Sequence, residues 1–223
     1  MSETKEKILL TEVEAKKLLR EAGIPVIETR LAKSAGEALS ISEELGFPVA
    51  MKIVSPDVVH KTDIGGVVLN IGDATQANKA YDQIISKVRM NVPEANIEGV
   101  SVQKMAPAGV EIIIGMIKDP QFGPAIMFGL GGILVEVLRD VSFRLVPVMP
   151  VDAAEMVREI KGFALLGGYR GQPPVDLKRL EEIIVTVSDF IEKNPDVEEL
   201  DLNPLIATGD NIVAVDARII SNR

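Results

Sequence analysis

The chain contains no cysteine and a single histidine, His60, among its 223 residues. Without cysteine there is no disulfide framework, no thiolate metal site and no cysteine nucleophile, and one histidine excludes a multi-histidine metal cluster. Any metal must be held by oxygen, which favours a hard cation such as magnesium over zinc or iron. Long apolar runs are missing too. The stretch AIMFGLGGILVEVL is broken by paired glycines and a glutamate, and it falls short of the roughly 20 residues a membrane-spanning helix requires. The start, MSETKEKILL, is charged and has no apolar segment with a cleavage site, so the expectation is a cytoplasmic protein without a membrane partner. Positive charge is scarce: 24 Lys and Arg face 33 Asp and Glu, for a net charge of −9. That balance excludes nucleic acid as the main partner, because backbone phosphates call for a basic face. A nucleotide pocket needs only a few local cations and amides, and it survives.

What is present is enough apolar residue, 47%, to bury one large core or two smaller ones. Thr11 with Glu14, and Ser34 with Glu37, form capping-box patterns ahead of short helices ending near Gly23 and Gly46. GIPVIETRL, FPVAMKIVS and VVLNI read as strands, and Asp73 opens a helix to about Asn91. Residues 20–98 therefore read as a β-α-β-β-α lobe. VSVQKM, GVEIIIGMIKD, PAIMFGL, ILVEVL and FRLVPV read as strands of a second half, followed by helices near 152–161 and 176–193 and a closing hairpin. The fold class is α+β (α/β), with two lobes and a hinge near Gln103.

His60 lies in the loop VSPDVVHKTDIGGV, directly after a strand carrying one lysine, Lys52. A side chain able to act as nucleophile or base near neutral pH, used once and set in a loop, points to function, and the chemistry expected of it is carrying a phosphoryl group. Asp63 is placed either to fix the imidazole tautomer or to cap the loop. Lys52 suits a nucleotide phosphate as a point charge, or it snorkels from a strand edge. Gly65-Gly66 and Gly129-Leu130-Gly131-Gly132 match neither the P-loop nor the dinucleotide fingerprint. Glu111, in GVEIIIGM, is either a ribose acceptor or a solvated strand residue.

The last hairpin is more informative. If Thr208–Asn211 forms the turn, the register sets Asn203 opposite Asp216, with Cβ atoms about 4.5–5.5 Å apart. Strict alternation would put Leu200, Leu202, Val213, Val215 and Ala217 on one face and Asp201, Asn203, Asp216 and Arg218 on the other. Two readings fit that polar face: a sparse oxygen set for magnesium, completed by phosphates and water, or a solvated surface with an Asp201–Arg218 ion pair.

The blocks AMKIVSPDVVHKTDIGGV, GVEIIIGMIKDPQFGPAIMFGLGGILVEVLRDVSFRLVPV and ELDLNPLIA…AVDARII closely resemble the β subunit of ADP-forming acetate-CoA ligases (acyl-CoA synthetases) across nearly the whole chain. They are distantly similar to the β subunit of succinyl-CoA synthetase. The resemblance implies an ATP-grasp fold holding nucleotide between two lobes, here 20–98 and 99–223, with an N-terminal helix in 1–19 packing on the second. It implies an enzyme, an acid-CoA ligase that moves a phosphoryl group between phosphohistidine and ADP or ATP, with magnesium. His60 matches the β-subunit phosphohistidine and Lys52 the phosphate-binding lysine. Gln103, followed by Lys104 and Met105, matches the adenine-contacting hinge, and Glu111 the ribose acid. Asn203 and Asp216 match the magnesium ligands, and Asp201 an acid that helps hold the phosphohistidine. It also implies a separate α subunit with CoA-binding and acyl-binding domains in a hetero-oligomer, since 223 residues are too few to include them. The rival expectation from another class is a non-catalytic ATP-grasp nucleotide-sensing module; a third is a ligase acting alone through an acyl phosphate.

Overall fold

A computed structural model describes residues 7–58, 60–132, 139–168 and 173–222. The chain divides into two compact units, one of residues 11–14 and 27–105, the other of the described residues within 1–10, 15–26 and 106–223.

Strand β1 (Lys7–Leu9) and helix α1 (Glu12–Glu21) come first. The capping box is reciprocal: the Thr11 amide donates to Glu14 Oε2 at 2.9 Å, and the Glu14 amide to Thr11 Oγ1 at 3.4 Å. Two amides that have no partner inside the helix are thereby satisfied. Only the first turn of α1 belongs to the smaller unit; Ala15 and Leu19 sit in the core of the larger.

The smaller unit continues with β2 (Thr29–Ala32), α2 (Ala35–Leu45), β3 (Val49–Val54), β4 (Val67–Ile71), α3 (Ala74–Asn91) and β5 (Gly99–Lys104). Its sheet runs β2-β5-β3-β4, antiparallel throughout. Ser34 caps α2 and Asp73 caps α3 through side-chain oxygens. Ala77, Ala80, Ile84 and Val88 of α3 are buried against Val49, Met51 and Ile53 of β3 and Val100 and Val102 of β5. The expected strand GIPVIETRL is shorter, reduced to β2 plus an isolated bridge at Val26. Strand β5, expected to open the second half, is hydrogen-bonded between β2 and β3. Its alternating pattern marks a strand but does not say which sheet, because sheet membership is decided by partners 45 to 74 residues away.

The larger unit contains β6 (Val110–Asp119), β7 (Gly123–Leu130), β8 (Val141–Leu145), α4 (Pro150–Glu159), a 3-10 turn (Lys161–Gly167), α5 (Leu177–Lys193), β9 (Val197–Thr208), β10 (Asn211–Ala214) and β11 (Arg218–Asn222). The expected strand ILVEVL falls at 133–138, outside the described residues. The sheet runs β1-β11-β9-β6-β7-β8, with β10 also on β9. Helix α5 turns Leu180, Ile183, Ile184, Val187 and Ile191 inward, spaced three or four apart as one buried stripe requires. They pack into one core with Phe128, Met156, Leu200, Leu202 and Leu205. Among the described residues no helix is long and apolar enough to cross a membrane.

Candidate functional site

Strand β3 is buried along its whole length, and its two faces differ. Val49, Met51 and Ile53 join the helix-packed core. Lys52 lies on the other face, opposite Ser101 of β5, while Ala50 lies opposite Gln103, and Gln103 opposite Thr29 of β2. Cross-strand partners share a face, so Lys52, Ser101, Gln103 and Thr29 form one buried polar stripe, none of them more than 8% exposed. Thr29 Oγ1 and Gln103 Oε1 are 3.3 Å apart. Lys104 ends β5 exposed, and the Met105 amide donates to the Pro48 carbonyl at 3.1 Å.

Lys52 has a partner that the sequence pattern did not reveal. Its Nζ donates to Glu12 Oε1 at 2.9 Å, and Lys61 Nζ donates to Glu12 Oε2 at 2.8 Å. The Glu12 side chain is only 2% exposed. A carboxylate so buried requires compensation, and each of its oxygens accepts from an ammonium group. The only local signal was an acidic residue in the first turn of α1, and that position is favourable for helix reasons alone.

Lys61 follows His60, and the loop that carries them is fastened on both flanks. On one side Val58 is buried in the α3-packed core, and Asp57 Oδ2 accepts from the Asn96 amide at 2.7 Å. On the other, the Gly66 amide donates to the Lys61 carbonyl at 2.7 Å, and the Gly66 carbonyl accepts from the Ile53 amide at 2.7 Å. Gly65 takes φ +71, the left-handed region. His60 stands exposed between these anchors. Asp63 is exposed too, and among the described residues it shares no hydrogen bond with His60.

The larger unit holds Glu111, Asp201, Asn203 and Asp216. The hairpin register is as expected: Asn211 pairs Thr208 and Ala214 pairs Leu205, then Arg218 pairs Asp201, so the same count sets Asn203 against Asp216. The faces are not. Leu200 and Leu202 are buried, but so are Leu205 and Ala207, and on the returning chain Ile212 and Ala214 are buried, then Ala217 and Ile219. Val213 and Val215, expected on the apolar face, are only partly covered. Both chains slip by one residue at Asn203–Pro204 and Val215–Asp216, and β6 shows the same irregularity between Ile112 and Ile114. Pro204 has no N–H for the ladder, so the regular pleat stops there. The resulting bulge leaves Asn203 exposed between buried leucines, and bulges of this kind re-aim side chains beside functional sites.

Burial pushes Asp201 above the ordinary carboxylate range; Arg218 opposes this and Asp216 adds to it. The Asp201–Arg218 ion pair allowed by the sequence does not close, although the two residues are register partners. Asp216 Oδ1 accepts from the Ala217 amide at 2.9 Å. The Val215 carbonyl accepts from Lys16 Nζ of α1 at 2.6 Å; Lys16 is 1% exposed and was missed by the sequence reading.

Glu111 is exposed on β6, paired with Ile206. Its carbonyl accepts from the Gly131 amide at 2.7 Å. A Cβ on Gly132 would stand 2.9 Å from Glu111 Oε2, and one on Gly131 would stand 3.0 Å from Glu111 Cβ. The second glycine cluster therefore makes room for the glutamate.

Among the described residues no three His, Cys, Asp or Glu side chains converge as a metal cage. Asn203 and Asp216 offer oxygen donors only, a chemistry that fits a magnesium ion whose remaining positions are filled by phosphate and water and does not fit zinc or iron.

Residues 2–220 match the family model of the ATP-grasp domain. The chain is 49% identical over 211 residues to the acetate–CoA ligase (ADP-forming) I subunit beta of Pyrococcus furiosus, covering 95% of this chain and 91% of that one. It superimposes with TM-score 0.94 and 50% identity on Ca. Korarchaeum cryptofilum dinucleotide-forming acetyl-coenzyme A synthetase 1 in complex with coenzyme A, Ca-AMPCP and HgCl+, covering 96% of this chain and 94% of that one. A second structure of that enzyme, with coenzyme A and Mg-AMPPCP and its phosphohistidine segment pointing towards the nucleotide binding site, gives TM-score 0.85 at 45% identity, covering 96% and 93%. With residues 2–220 matched by the family model and 49% identity over 95% of its length to a named β subunit, this chain belongs to the ATP-grasp family, among the β subunits of ADP-forming acetate–CoA ligases.

Proposed function

We propose that this chain is the β subunit of an ADP-forming acyl-CoA synthetase and moves a phosphoryl group between His60 and ADP or ATP. A partner α subunit, with CoA-binding and acyl-binding domains, would interconvert acyl-CoA, acyl phosphate and free acid. The observation that carries the proposal is the sole histidine, held exposed on a loop fastened at both flanks beside a buried lysine–glutamate cluster.

In the ATP-consuming direction a neutral imidazole nitrogen attacks the γ-phosphorus. The N–P bond forms as the bond to the bridging oxygen breaks, and ADP leaves with the electron pair. In the other direction a terminal oxygen of ADP takes the group back and frees the imidazole. Phosphoryl transfer asks the protein mainly for alignment and charge neutralisation. Lys52 supplies a fixed positive charge for phosphates, and Gln103, Lys104 and Met105 serve the base and Glu111 the ribose. Asn203 and Asp216 would hold magnesium, which offsets phosphate charge when bound. Asp201 takes the acidic role that the family resemblance gives it. A cytoplasmic location belongs to the same proposal.

The test is incubation with ATP and magnesium followed by intact mass. The wild type should gain one phosphate that is lost in mild acid, and His60→Asn should gain none while still binding nucleotide. Acid-labile phosphate retained in His60→Asn would reject the assignment.

A further inference from the structure

The Glu12 carboxylate joins the first turn of α1 to two consecutive pieces of chain 40 and 49 residues away: the middle of β3 through Lys52, and the His60 loop that follows it through Lys61. We propose that Glu12 is a positioning residue, a clamp that anchors the returning limb of the His60 loop through Lys61 while fixing Lys52 on the polar face of the sheet. This deepens the reading of His60 as phosphoryl carrier and rests on it for its catalytic consequence.

The geometry supports the clamp in three ways. First, Glu12 spends one oxygen on each lysine, so neither contact displaces the other. Second, the side chain is almost fully enclosed, and in such surroundings a charged contact is weakened little by water or salt. Third, the Lys61 carbonyl is the acceptor for the Gly66 amide, and the Gly66 carbonyl is the acceptor for Ile53 of β3. The Lys61 backbone is thus one step from the sheet, and holding its side chain also holds the returning limb of the loop. His60 has its own ring exposed, so its position depends on these neighbours. Had Glu12 served only as a helix-start residue, an exposed carboxylate would suffice, as at Glu14, which already completes the capping box.

The experiment is hydrogen exchange on the whole chain without nucleotide, paired with the rate of ATP-dependent phosphate gain. In Glu12→Gln and, separately, Lys61→Met, the Gly65 and Gly66 amides should exchange at least tenfold faster, while amides of α3 such as Ile84 and Val88 keep wild-type protection. Lys61→Arg should restore most of the loop protection. The phosphate-gain rate should fall at least tenfold in Lys61→Met, with nucleotide affinity changed less than threefold, because that variant leaves Lys52 and Glu12 paired. Unchanged loop protection in Lys61→Met would overturn the clamp. So would a loss spread evenly through α3, which would mark a general stability role. Should the wild type itself gain no phosphate while loop protection responds as described, the clamp stands and the phosphoryl-carrier reading falls.

Discussion

Gly66→Ala tests the anchoring of the His60 loop from the backbone side. A Cβ there would stand 2.7 Å from Ile53 Cγ2 and 2.9 Å from the Lys61 carbonyl oxygen. Carbon atoms prefer about 3.5–4.0 Å, so the loop must open by about 1 Å. The Gly66 amide bond to Lys61, 2.7 Å in the structure, would then pass the roughly 3.2 Å limit of a useful hydrogen bond. Losing that bond costs about 1 kcal/mol, and overpacking adds about 1–3 kcal/mol. The anchored loop should lose about 2–4 kcal/mol, a fall of about 30- to 700-fold in its population at 1.4 kcal/mol per tenfold. Hydrogen exchange at residue 66 and at Ile53 reads this directly, with the rate of ATP-dependent phosphate gain expected to fall in parallel. Gly36→Ala is the control. It lies in α2 of the same unit, its nearest neighbour to an added Cβ is Ser34 Oγ at 4.0 Å, and it should stabilise its helix by up to about 1 kcal/mol. If the Gly66→Ala loop amides stay as protected as those of wild type, the close approach does not hold this loop and the reasoning fails.

Three further outcomes are expected. Asp216→Ala should weaken magnesium-dependent nucleotide binding at least tenfold and leave magnesium-free binding alone; an unchanged magnesium titration would remove Asp216 from the ligand set. Asp201 has its native pKa raised, chiefly by burial, so the folded chain holds that proton more tightly than the unfolded chain. The linked stability is therefore present below the unfolded value of about 3.9 and is lost as pH rises through the native value. In metal-free buffer Asp201→Asn should flatten that decline just above about pH 4; parallel stability–pH curves for the two proteins would refute it. Finally, the chain alone should make no ATP from acyl-CoA, ADP and phosphate, and an added α subunit should restore it. Turnover by the lone chain would favour a self-contained ligase.

Much of the fold was legible because its signals are local. Thr11 with Glu14, Ser34 and Asp73 mark helix starts within four residues of chain, and the α5 stripe repeats at helical spacing. The hairpin count from Thr208–Asn211 likewise set Asn203 against Asp216, since register follows from turn length. The slip of both strands beside that pair was less legible. Pro204 could be seen in the sequence, but its effect depends on which neighbour would have received its missing N–H.

The sequence by itself determined which chemistry was available: one imidazole, oxygen-only metal ligands, too little positive charge for nucleic acid, and a family resemblance carried by contiguous blocks. Only the tertiary structure decided that β5 belongs to the first sheet, that Lys52 shares a buried polar face with Gln103 and Thr29, and that Glu12 joins Lys52 to Lys61 across 40 and 49 residues. The reason is physical. Residue type sets what a side chain can do, but burial and partnership come from segments brought together by folding, and no short window of sequence contains both members of such a pair.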